Sequence, residues 1–292
     1  GDKIIIRSTG ADATQYTIDP TLTDQGVSAK LPETLPSGTY RVAVSRNSEE
    51  QDLGVTTIKI NDNSQKPVAD MLDVKFNEDG TATDISPMAN PIETISGLGL
   101  TTYYSKTYQR YVARFENTWA GTPTGYYKMD YASNQNFKNL LSNGHSMEIV
   151  VMANFPGTIP NKECKPFSSM QSGGTGIMVT TIGGTHQNEW CFLPNITETG
   201  SSTWRWTTSG IVPESKTYYH IIGVWNKTEG KTEIYVDGEL KNTIDAPGNF
   251  RFPTDGANWF AIGCDPTTSG AEAAWNGDIV LARIYSTPLS SD

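Results

Sequence analysis

The chain has few cysteines and no metal-binding cysteine motif. Cys164, Cys191 and Cys264 are the three cysteines in 292 residues, and no pair has the C-x-x-C spacing. A structural zinc site needs clustered thiolate or imidazole ligands, so this spacing excludes one of the usual kind. Cys164 and Cys191 could pair across a loop or remain isolated buried thiols, and the sequence leaves both alternatives open.

Basic residues and long apolar runs are also scarce. The chain has 22 Lys and Arg against 32 Asp and Glu, a net charge of −10. Phosphate binding needs clustered positive charge, so we expect no nucleic-acid partner and no attraction to an anionic membrane surface. No segment approaches the roughly 18 apolar residues of a membrane span, which predicts no membrane insertion. Because the chain begins at Gly1 without a signal peptide, we expect a mature or trimmed chain.

Motifs of nucleophilic and metal-dependent hydrolases are missing as well. The three histidines, His145, His186 and His220, stand in no H-E-x-x-H motif, and no G-x-S-x-G segment occurs. We interpret His145 and His220 as structural residues. His186, in the polar segment GGTHQNEW, is the histidine that we predict to contact a ligand.

The residues that are abundant favour an all-β protein. The chain has 27 Gly and 16 Pro, and short β-rich runs alternate with turn residues. Asp237-Gly238 stands between two apolar runs, which is a strong β-hairpin signal. The one helical pattern is at 134–142, where Phe137, Leu140 and Leu141 could pack two turns against a sheet.

The first 66 residues form a predicted domain of their own. Strand-like runs lie at Lys3–Ser8, Thr39–Ser45 and Val55–Ile60, and the linker-like segment NDNSQKP follows. We therefore predict a small β-sandwich at 1–66 and a second domain at 67–292. The segment PSGTYRVAVSR with LGVTTIKI resembles the last strands of immunoglobulin-like modules of the IPT/TIG type.

The second domain carries a more specific pattern near its end. Residues 217–240 read TYYHIIGVWNKTEGKTEIYVDGEL, residues 259–266 read WFAIGCDP and residues 277–289 read GDIVLARIYSTPL. Regular alternation predicts that Ile279 and Leu281 share one face of the last strand and that Val280 and Ala282 share the other. These segments resemble the closing strands of the laminin-G-like, concanavalin A-like lectin/glucanase superfamily. The resemblance implies a two-sheet jelly roll in a bacterial extracellular protein.

Some members of that superfamily are glycoside hydrolases, which place acids on one strand as E-x-D-x-E. The matching strand here, Met147–Phe155, has Glu148 followed by Val150 and Met152 where partner acids would stand. A retaining glycosidase needs two carboxylates about 5–5.5 Å apart. We therefore predict that the chain is not an enzyme.

Tryptophan is the residue that best suits sugar binding, because an indole face can stack on the apolar face of a sugar ring. Trp225 and Trp259 lie in predicted strands and are interpreted as packing residues. Trp204 and Trp206 are two residues apart, so we expect them to share a sheet face, most simply in the core. The predicted ligand contacts are the tryptophans in polar, Gly-rich segments: Trp119, Trp190 and Trp275.

The same resemblance implies a calcium ion at the rim of the sandwich. Asp84, in GTATDISP, and Asp278, in NGDI, are the predicted ligands, since Ca²⁺ prefers carboxylate oxygens. Relatives often have Asp-Glu where this chain has Val280-Leu281, and this difference removes one possible ligand.

Two functions remain from these observations. The first is a noncatalytic module that binds a glycan, in an extracellular or cell-surface protein that a removed N-terminal segment could anchor to the membrane. The second is a structural or protein-interaction spacer beside a covalently linked catalytic domain, either a hydrolase or a phosphoesterase. The chain ends at LSSD directly after the last predicted strand, so we interpret it as a fragment of a larger protein.

Overall fold

The computed structural model describes residues 2–9, 14–23, 26–28, 38–46, 49–58, 67–183, 186–198 and 200–289. The chain divides into two compact units, Gly1–Lys66 and Pro67–Asp292. The predicted linker at 61–66, the end of the strand predicted to reach Ile60 and the terminal residues 290–292 lie outside the described residues. No helix in the described part of the chain is long and apolar enough to cross a membrane.

The described residues of the first unit form one four-stranded sheet and one small hairpin. Its strands are β1 (Lys3–Ser8), β2 (Gln15–Ile18), β3 (Thr21–Thr23), β4 (Gly26–Ser28), β5 (Gly38–Arg46) and β6 (Glu49–Ile58). The sheet has the order β2-β1-β5-β6, and β3 pairs with β4. Ile6, Ile18 and Tyr40 form its buried cluster. An immunoglobulin-like identity for this unit stays a prediction.

The second unit begins with seven strands and its helix. These are β7 (Leu72–Phe76), β8 (Ala82–Asp84), β9 (Glu93–Ile95), β10 (Leu100–Ser105), β11 (Arg110–Glu116), β12 (Tyr126–Asp130), α1 (Gln135–Leu141) and β13 (His145–Ala153). The middle strands are β14 (Cys164–Met170), β15 (Gly174–Val179), β16 (Ile182–Gly183), β17 (His186–Gln187), β18 (Trp190–Phe192), β19 (Asn195–Glu198), β20 (Ser201–Trp204) and β21 (Thr207–Thr208). The last strands are β22 (Tyr218–Asn226), β23 (Lys231–Val236), β24 (Glu239–Asp245), β25 (Asn249–Phe250), β26 (Trp259–Ile262), β27 (Asp265–Pro266), β28 (Ala271–Glu272) and β29 (Asn276–Tyr285).

Two antiparallel sheets make up the body of this unit. The larger sheet has nine strands, in the order β10-β11-β29-β13-β22-β23-β24, with β7 paired to β29 and β8 paired to β7. The smaller sheet has seven strands, in the order β21-β18-β15-β14-β26-β12-β9. The predicted all-β fold with a concanavalin A-like β-sandwich is confirmed.

Alternation along the strands separates the core from the outer face. In β13, Met147, Ile149 and Val151 are fully buried in the main hydrophobic cluster. The intervening residues therefore point away from the core, onto the outer face of the larger sheet. Phe192 of the smaller sheet packs against Gly223 so closely that a Cβ at residue 223 would stand 2.3 Å from its ring.

The predicted helix and hairpin are both confirmed. Helix α1 begins after Asn134, whose side chain accepts a hydrogen bond from the amide of Phe137, and it buries Phe137 and Leu141. Strands β23 and β24 are joined at Asp237-Gly238, where φ is 53° and 81°. Positive φ at both central residues is the geometry of the two-residue hairpin turn that a DG pair favours.

Two predicted side-chain alternations are wrong. The register between β13 and β29 shifts at Val150/Val151, so Val150 pairs with Leu281 and Val151 with Ile279. This β-bulge makes Val280 the extra residue, and Val280 and Leu281 both join the small outer-face cluster while Ala282 stays in the core. Trp204 and Trp206 share no strand, because β20 ends at Trp204 and β21 begins at Thr207. Both indoles instead lie half-buried against the cluster around Met170.

Candidate functional site

The three tryptophans predicted to bind a ligand lie in the core. Trp190 and Trp275 are 0% exposed and Trp119 is 7% exposed. The ring centroids of Trp119 and Trp275 are 5.1 Å apart, and those of Trp190 and Trp275 are 5.7 Å apart. A ring enclosed by other rings offers no face to a sugar, so the prediction for these three residues is corrected. Their polar neighbours in sequence suggested loops, but Trp190 points inward from strand β18 and Trp275 points inward directly before β29.

His186 lies at the surface but stacks on a tryptophan of this chain. Its ring is 4.5 Å from the ring of Trp206, centroid to centroid, with an interplanar angle of 26°. Nδ1 of His186 is buried and has no hydrogen-bond partner among the described residues. Ligand contact by His186 stays a prediction.

The other two histidines have structural contacts, as predicted. His145 is fully buried, with Nδ1 2.9 Å from the carbonyl oxygen of Leu141 and Nε2 3.2 Å from the hydroxyl of Thr175. Nε2 of His220 is 2.7 Å from a carboxylate oxygen of Glu148. Both nitrogens of the His145 ring are engaged by the protein, and Nε2 of the His220 ring is engaged by Glu148.

Asp84 does not fit the predicted role of a calcium ligand. Its two oxygens accept five hydrogen bonds of 2.7–2.9 Å, from the amides of Asp73, Ser86 and Asn90 and from the side chains of Ser86 and Asn90. The carboxylate therefore ties the loop after β8 to β7. Its lone pairs are used by protein donors rather than free for a cation.

Asp278 does not fit that role either. It is 1% exposed, and its oxygens accept hydrogen bonds from Arg114, Tyr103 and Tyr218. Within the described ranges, no group of three or more His, Cys, Asp or Glu residues is arranged to hold a metal ion. The structure thus brings neither predicted ligand into a cation site, and calcium binding stays a prediction without assigned residues.

The contacts of Asp278 instead organise a cleft on the outer face of the larger sheet. Nε and Nη2 of Arg114 lie 2.9 and 3.0 Å from its two oxygens. The hydroxyls of Tyr103 and Tyr218 donate to Oδ2 at 2.6 and 2.9 Å. The Arg114 guanidinium also lies 4.5 Å from the centre of the Tyr103 ring. Four side chains from strands β10, β11, β22 and β29 therefore hold one another in place.

The cleft has an aromatic wall and a polar rim. Its volume is about 350 Å³, and Met152, Asn154, Glu116 and Lys216 line it beside the residues already described. Asn154, Glu116 and Lys216 are exposed. Beneath the tyrosines lies the apolar outer-face cluster that includes Val112, Val280 and Leu281. The β29 bulge supplies two of these three residues, so the bulge builds the floor on which the tyrosines rest.

Electrostatics keep the two tyrosines protonated. Burial, reinforced by the Asp278 carboxylate, raises the pKa of Tyr103 and of Tyr218. The hydrogen bond to Asp278 raises the pKa of Arg114. At neutral pH the cleft therefore contains a fixed ion pair and two neutral hydroxyls. The exposed Glu116 and Lys216 add one charge of each sign, so the cleft as a whole is close to neutral.

Glu148 lies on the same outer face, in a network of its own. His220, Tyr285 and Arg283 contact its carboxylate, and Arg283 also bonds Asp73 at 3.0 Å. Although burial acts in the opposite direction, hydrogen bonds from His220 and Tyr285 hold the pKa of Glu148 below its usual range. A general acid needs the reverse, a carboxyl group whose pKa is raised.

Sequence reasoning missed the tyrosines and Arg114. The signal was present in RYVARFE, where Arg110, Val112 and Arg114 alternate with Tyr111, Ala113 and Phe115. This period of two predicts an outer face with two arginines. The pairing of Tyr103 and Tyr218 with Asp278 could not be predicted, because these residues come from strands far apart in the chain and meet only in the sheet.

Comparison with solved structures shows the same fold in structures of botulinum neurotoxins. A structure of botulinum neurotoxin type C, a toxin whose cell entry depends on interaction with two ganglioside molecules, is 12% identical with a TM-score of 0.53. The match covers 75% of this chain and 48% of that chain. The binding domain of botulinum neurotoxin DC in complex with rat synaptotagmin II is 14% identical with a TM-score of 0.51, over 75% of this chain and 48% of that one. The chain therefore spans about half the length of these proteins.

A weaker likeness is to domain 4 of an extracellular arabinanase from Geobacillus stearothermophilus, in complex with arabinotriose. It has 16% identity, a TM-score of 0.47 and coverage of 69% of this chain and 84% of that chain. No curated protein matches this chain.

The family comparison is more specific than the structural one. The Laminin_G_3 family, described as the concanavalin A-like lectin/glucanases superfamily, matches residues 142–292. This range contains β13, β22 and β29, which form the middle of the larger sheet. Because the match covers more than half of the 292 residues, the chain belongs to the concanavalin A-like lectin/glucanases superfamily.

Proposed function

We propose that this chain is a noncatalytic carbohydrate-binding module, and that its binding site is the cleft around Asp278. One cleft contains two tyrosine rings, a fixed ion pair between Arg114 and Asp278, and an exposed polar rim. This combination is the observation that carries the proposal. A sugar has apolar C–H faces and many hydroxyls, so it is bound best by aromatic rings with nearby donors and acceptors.

The charge of the cleft favours a neutral glycan. Arg114 is compensated by Asp278, and the exposed Lys216 by the exposed Glu116. Asn154 adds both a donor and an acceptor at the rim. Because the ion pair and the tyrosine hydroxyls are already bonded to one another, they keep the same geometry before and after binding, which lowers the entropic cost of association.

We propose a noncatalytic role because of the contacts that the carboxylates of the outer face make. Both oxygens of Asp278 are engaged by Arg114 and the tyrosines, so neither is free to attack a sugar ring. The pKa of Glu148 is shifted in the direction that disfavours proton donation. The neurotoxin DC structure with the same fold is a binding domain, which supports a binding role for this chain.

We also propose a class of ligand and a cellular location for this chain. The type C toxin is described as interacting with gangliosides, and we extend a carbohydrate partner, without its identity, to this chain. We further propose an extracellular or cell-surface location, since polysaccharides and cell-surface glycans are found there, and a covalently linked neighbouring domain. Recognition of a surface-displayed tag by antibody on intact cells would test the location.

The test is binding of the whole chain to a panel of neutral polysaccharides and oligosaccharides by isothermal titration calorimetry. Each titration is run with calcium and again with a chelator, because calcium binding is part of the prediction. We expect the chain to bind at least one member of the panel. We expect the affinity for it to fall at least tenfold in Asn154→Ala and in Lys216→Ala. Both side chains are exposed, so these substitutions leave the fold intact.

Two exposed residues outside the cleft supply matched controls. Asn143→Ala and Lys162→Ala remove the same side-chain types elsewhere on the surface and are expected to bind like the unsubstituted chain. Binding that persists unchanged in the cleft variants would place the site elsewhere. Failure of the folded chain to bind any member of the panel would reject the proposal and favour the spacer.

A further inference from the structure

A second cleft on this unit holds two cations, Arg110 and Lys75, that form no direct ion pair within the described residues. The cleft has a volume of about 470 Å³ and lies where hairpin β10–β11 comes beside β7. Arg110, Lys75, Tyr104 and Ile85 are among the residues that line it. It shares no lining residue with the cleft around Asp278, although Tyr108 lines it and packs against Tyr218 of the first cleft at 5.3 Å.

Arg110 is the central residue of this second cleft. It makes no ion pair and no side-chain hydrogen bond with any residue in the described parts of the chain, although other arginines on this face are paired. The nearby carboxylates of Asp73 and Glu148 are both contacted by Arg283 instead. Burial lowers the pKa of Arg110 and the neighbouring Arg283 guanidinium adds to this effect, while the carboxylates of Asp73 and Glu148 oppose it. A half-buried cation beside a like charge is stabilised by an anion that approaches from the cleft.

Lys75 adds a second cation to the same wall. Its side chain is exposed and forms no ion pair within the described residues. Besides Asp73 and Glu148, a third acid lies near this cleft: Glu78 hydrogen-bonds to Tyr111 and raises the pKa of that tyrosine in addition to the larger effect of burial. The chain carries a net charge of −10. Two cations without ion-pair partners in one cleft therefore contrast with the acidic charge of the chain as a whole.

The cleft also presents apolar surface beside the cations. Tyr104 and Ile85 are each 54% exposed. Tyr104 is held by the edge of Tyr111, with the ring centroids 5.4 Å apart at 74°. An exposed tyrosine face and an exposed aliphatic side chain suit the apolar side of a pyranose ring, while Arg110 and Lys75 suit a carboxylate or sulfate on that ring.

We infer that the cleft formed by Arg110, Lys75, Tyr104 and Ile85 is a subsite for an acidic sugar, a pyranose that carries a carboxylate or a sulfate. The inference goes beyond the proposed function, because it adds a second subsite with its own selectivity. It rests on that function only in taking the ligand to be a carbohydrate. A glycan with an acidic residue near its neutral residues would then contact both clefts.

The test compares acidic and neutral sugars on the whole chain by ¹⁵N-edited NMR titration. The probes are glucuronate, N-acetylneuraminate and glucose 6-sulfate, with methyl glucoside as the neutral counterpart. We expect each acidic sugar that fits to bind at least tenfold more tightly than methyl glucoside, and to weaken as salt rises. Arg110→Gln should lose about tenfold or more of this binding, because it removes a charge-assisted hydrogen bond.

Matched variants separate the cleft from general charge effects. Lys75→Gln should weaken binding several-fold, whereas Lys106→Gln, at an exposed lysine that does not line the cleft, should leave it unchanged. Asn154→Ala and Lys216→Ala should also leave acidic-sugar binding unchanged. Equal affinity for neutral and acidic sugars, or full binding in Arg110→Gln, would overturn the inference.

Two further probes test whether the ligand of this cleft is a sugar. Sodium sulfate or a phosphotyrosine peptide that binds as tightly as the acidic sugars, with the same dependence on Arg110, would overturn the assignment to a sugar. If neutral glycans bind at the Asp278 cleft while acidic sugars show no advantage, the inference fails and the proposed function stands. If acidic sugars bind through Arg110 while no neutral glycan binds, the proposed site fails and this subsite stands.

Discussion

Arg114 and Asp278 lie directly opposite each other on strands β11 and β29, and the guanidinium bonds both oxygens of a carboxylate that is 1% exposed. Two strands distant in sequence are thus linked by a bidentate ion pair on the outer face of the sheet. The tyrosine hydroxyls complete the coordination of the carboxylate. The pair therefore serves the stability of the sheet as well as the shape of the cleft.

Because of this ion pair, the stability of the protein should be sensitive even to a substitution of Asp278 by a residue of the same size. Asp278→Asn removes the negative charge that faces the Arg114 guanidinium and replaces one of the two acceptor oxygens with an NH2 donor, so the guanidinium and the tyrosines cannot all keep their acceptors. We expect a loss of about 1.5–3 kcal/mol in the free energy of unfolding, measured by urea denaturation, because charge-assisted hydrogen bonds to a buried carboxylate are lost. In Asp278→Asn with Arg114→Gln, the combined loss should be smaller than the sum of the single losses, because the pair is broken only once. Strictly additive losses would show that the two side chains are not coupled.

The core position of Trp190 and Trp275 predicts a structural phenotype for their removal. Trp190→Ala and Trp275→Ala should each lower the free energy of unfolding by about 3–5 kcal/mol, because each leaves a large cavity among packed rings. Tyr104→Ala, at an exposed ring, is the control and should change stability by less than about 1 kcal/mol. Thermal and urea unfolding would measure all three. A stable Trp275→Ala protein that had lost glycan binding would restore the prediction of a ligand contact.

Gly223 is predicted to admit no larger residue while Phe192 lies against it. A Cβ at residue 223 would stand 2.3 Å from the phenyl ring, so Gly223→Ala should cost about 1–3 kcal/mol of stability. Phe192→Leu in the same chain should recover part of that loss by removing ring atoms from the contact. Gly183→Ala is the matched control, since no described residue lies within 4 Å of the place that its new methyl group would take and its φ is unstrained. Equal effects at residues 183 and 223 would contradict the packing argument.

Because His145 is buried, we expect the stability of the protein to depend on pH. Burial lowers the pKa of His145 from 6.5 to about 4, against the smaller effect of its hydrogen bond with Leu141. Between these two values the unfolded chain takes up a proton that the folded chain does not. The stabilisation is therefore complete above pH 6.5 and is lost as the pH falls toward 4. The loss from this residue should be about 2 kcal/mol by pH 5.

Two measurements check the histidine prediction. The difference in unfolding free energy between pH 7.5 and pH 5 should be smaller in His145→Gln than in the unsubstituted chain. In the folded protein, the ring carbons of His145 should show no NMR titration above pH 5. A titration midpoint near 6.5 for this ring would contradict the prediction.

Much of the fold could be predicted because it depends on local patterns. Alternation places Met147, Ile149 and Val151 in the core, and a DG pair specifies the turn at Asp237-Gly238. The helix after Asn134 follows from its cap and from the spacing of Phe137 and Leu141. These features depend on contacts between residues that are near in sequence, where spacing and residue type are sufficient.

The candidate site was predicted poorly, and the tryptophans show why. Polar and glycine-rich neighbours are typical of loops, and Trp275 has both in EAAWNGD. Whether a side chain beside the start of a strand points inward depends on the register of that strand against its partners. The bulge at Val280 changes this register by one residue, and a change of one residue moves a side chain to the opposite face.

The sequence by itself determined the all-β class, the core alternation of β13, the hairpin and the helix, because each depends on short-range periodicity and turn chemistry. Only the tertiary structure decided what surrounds the functional candidates. It buried three tryptophans, satisfied Asp84 and Asp278 with protein donors, and brought Tyr103, Arg114 and Tyr218 together around Asp278. The physical reason is that these contacts join residues far apart in the chain, and strand pairing alone sets which of them meet.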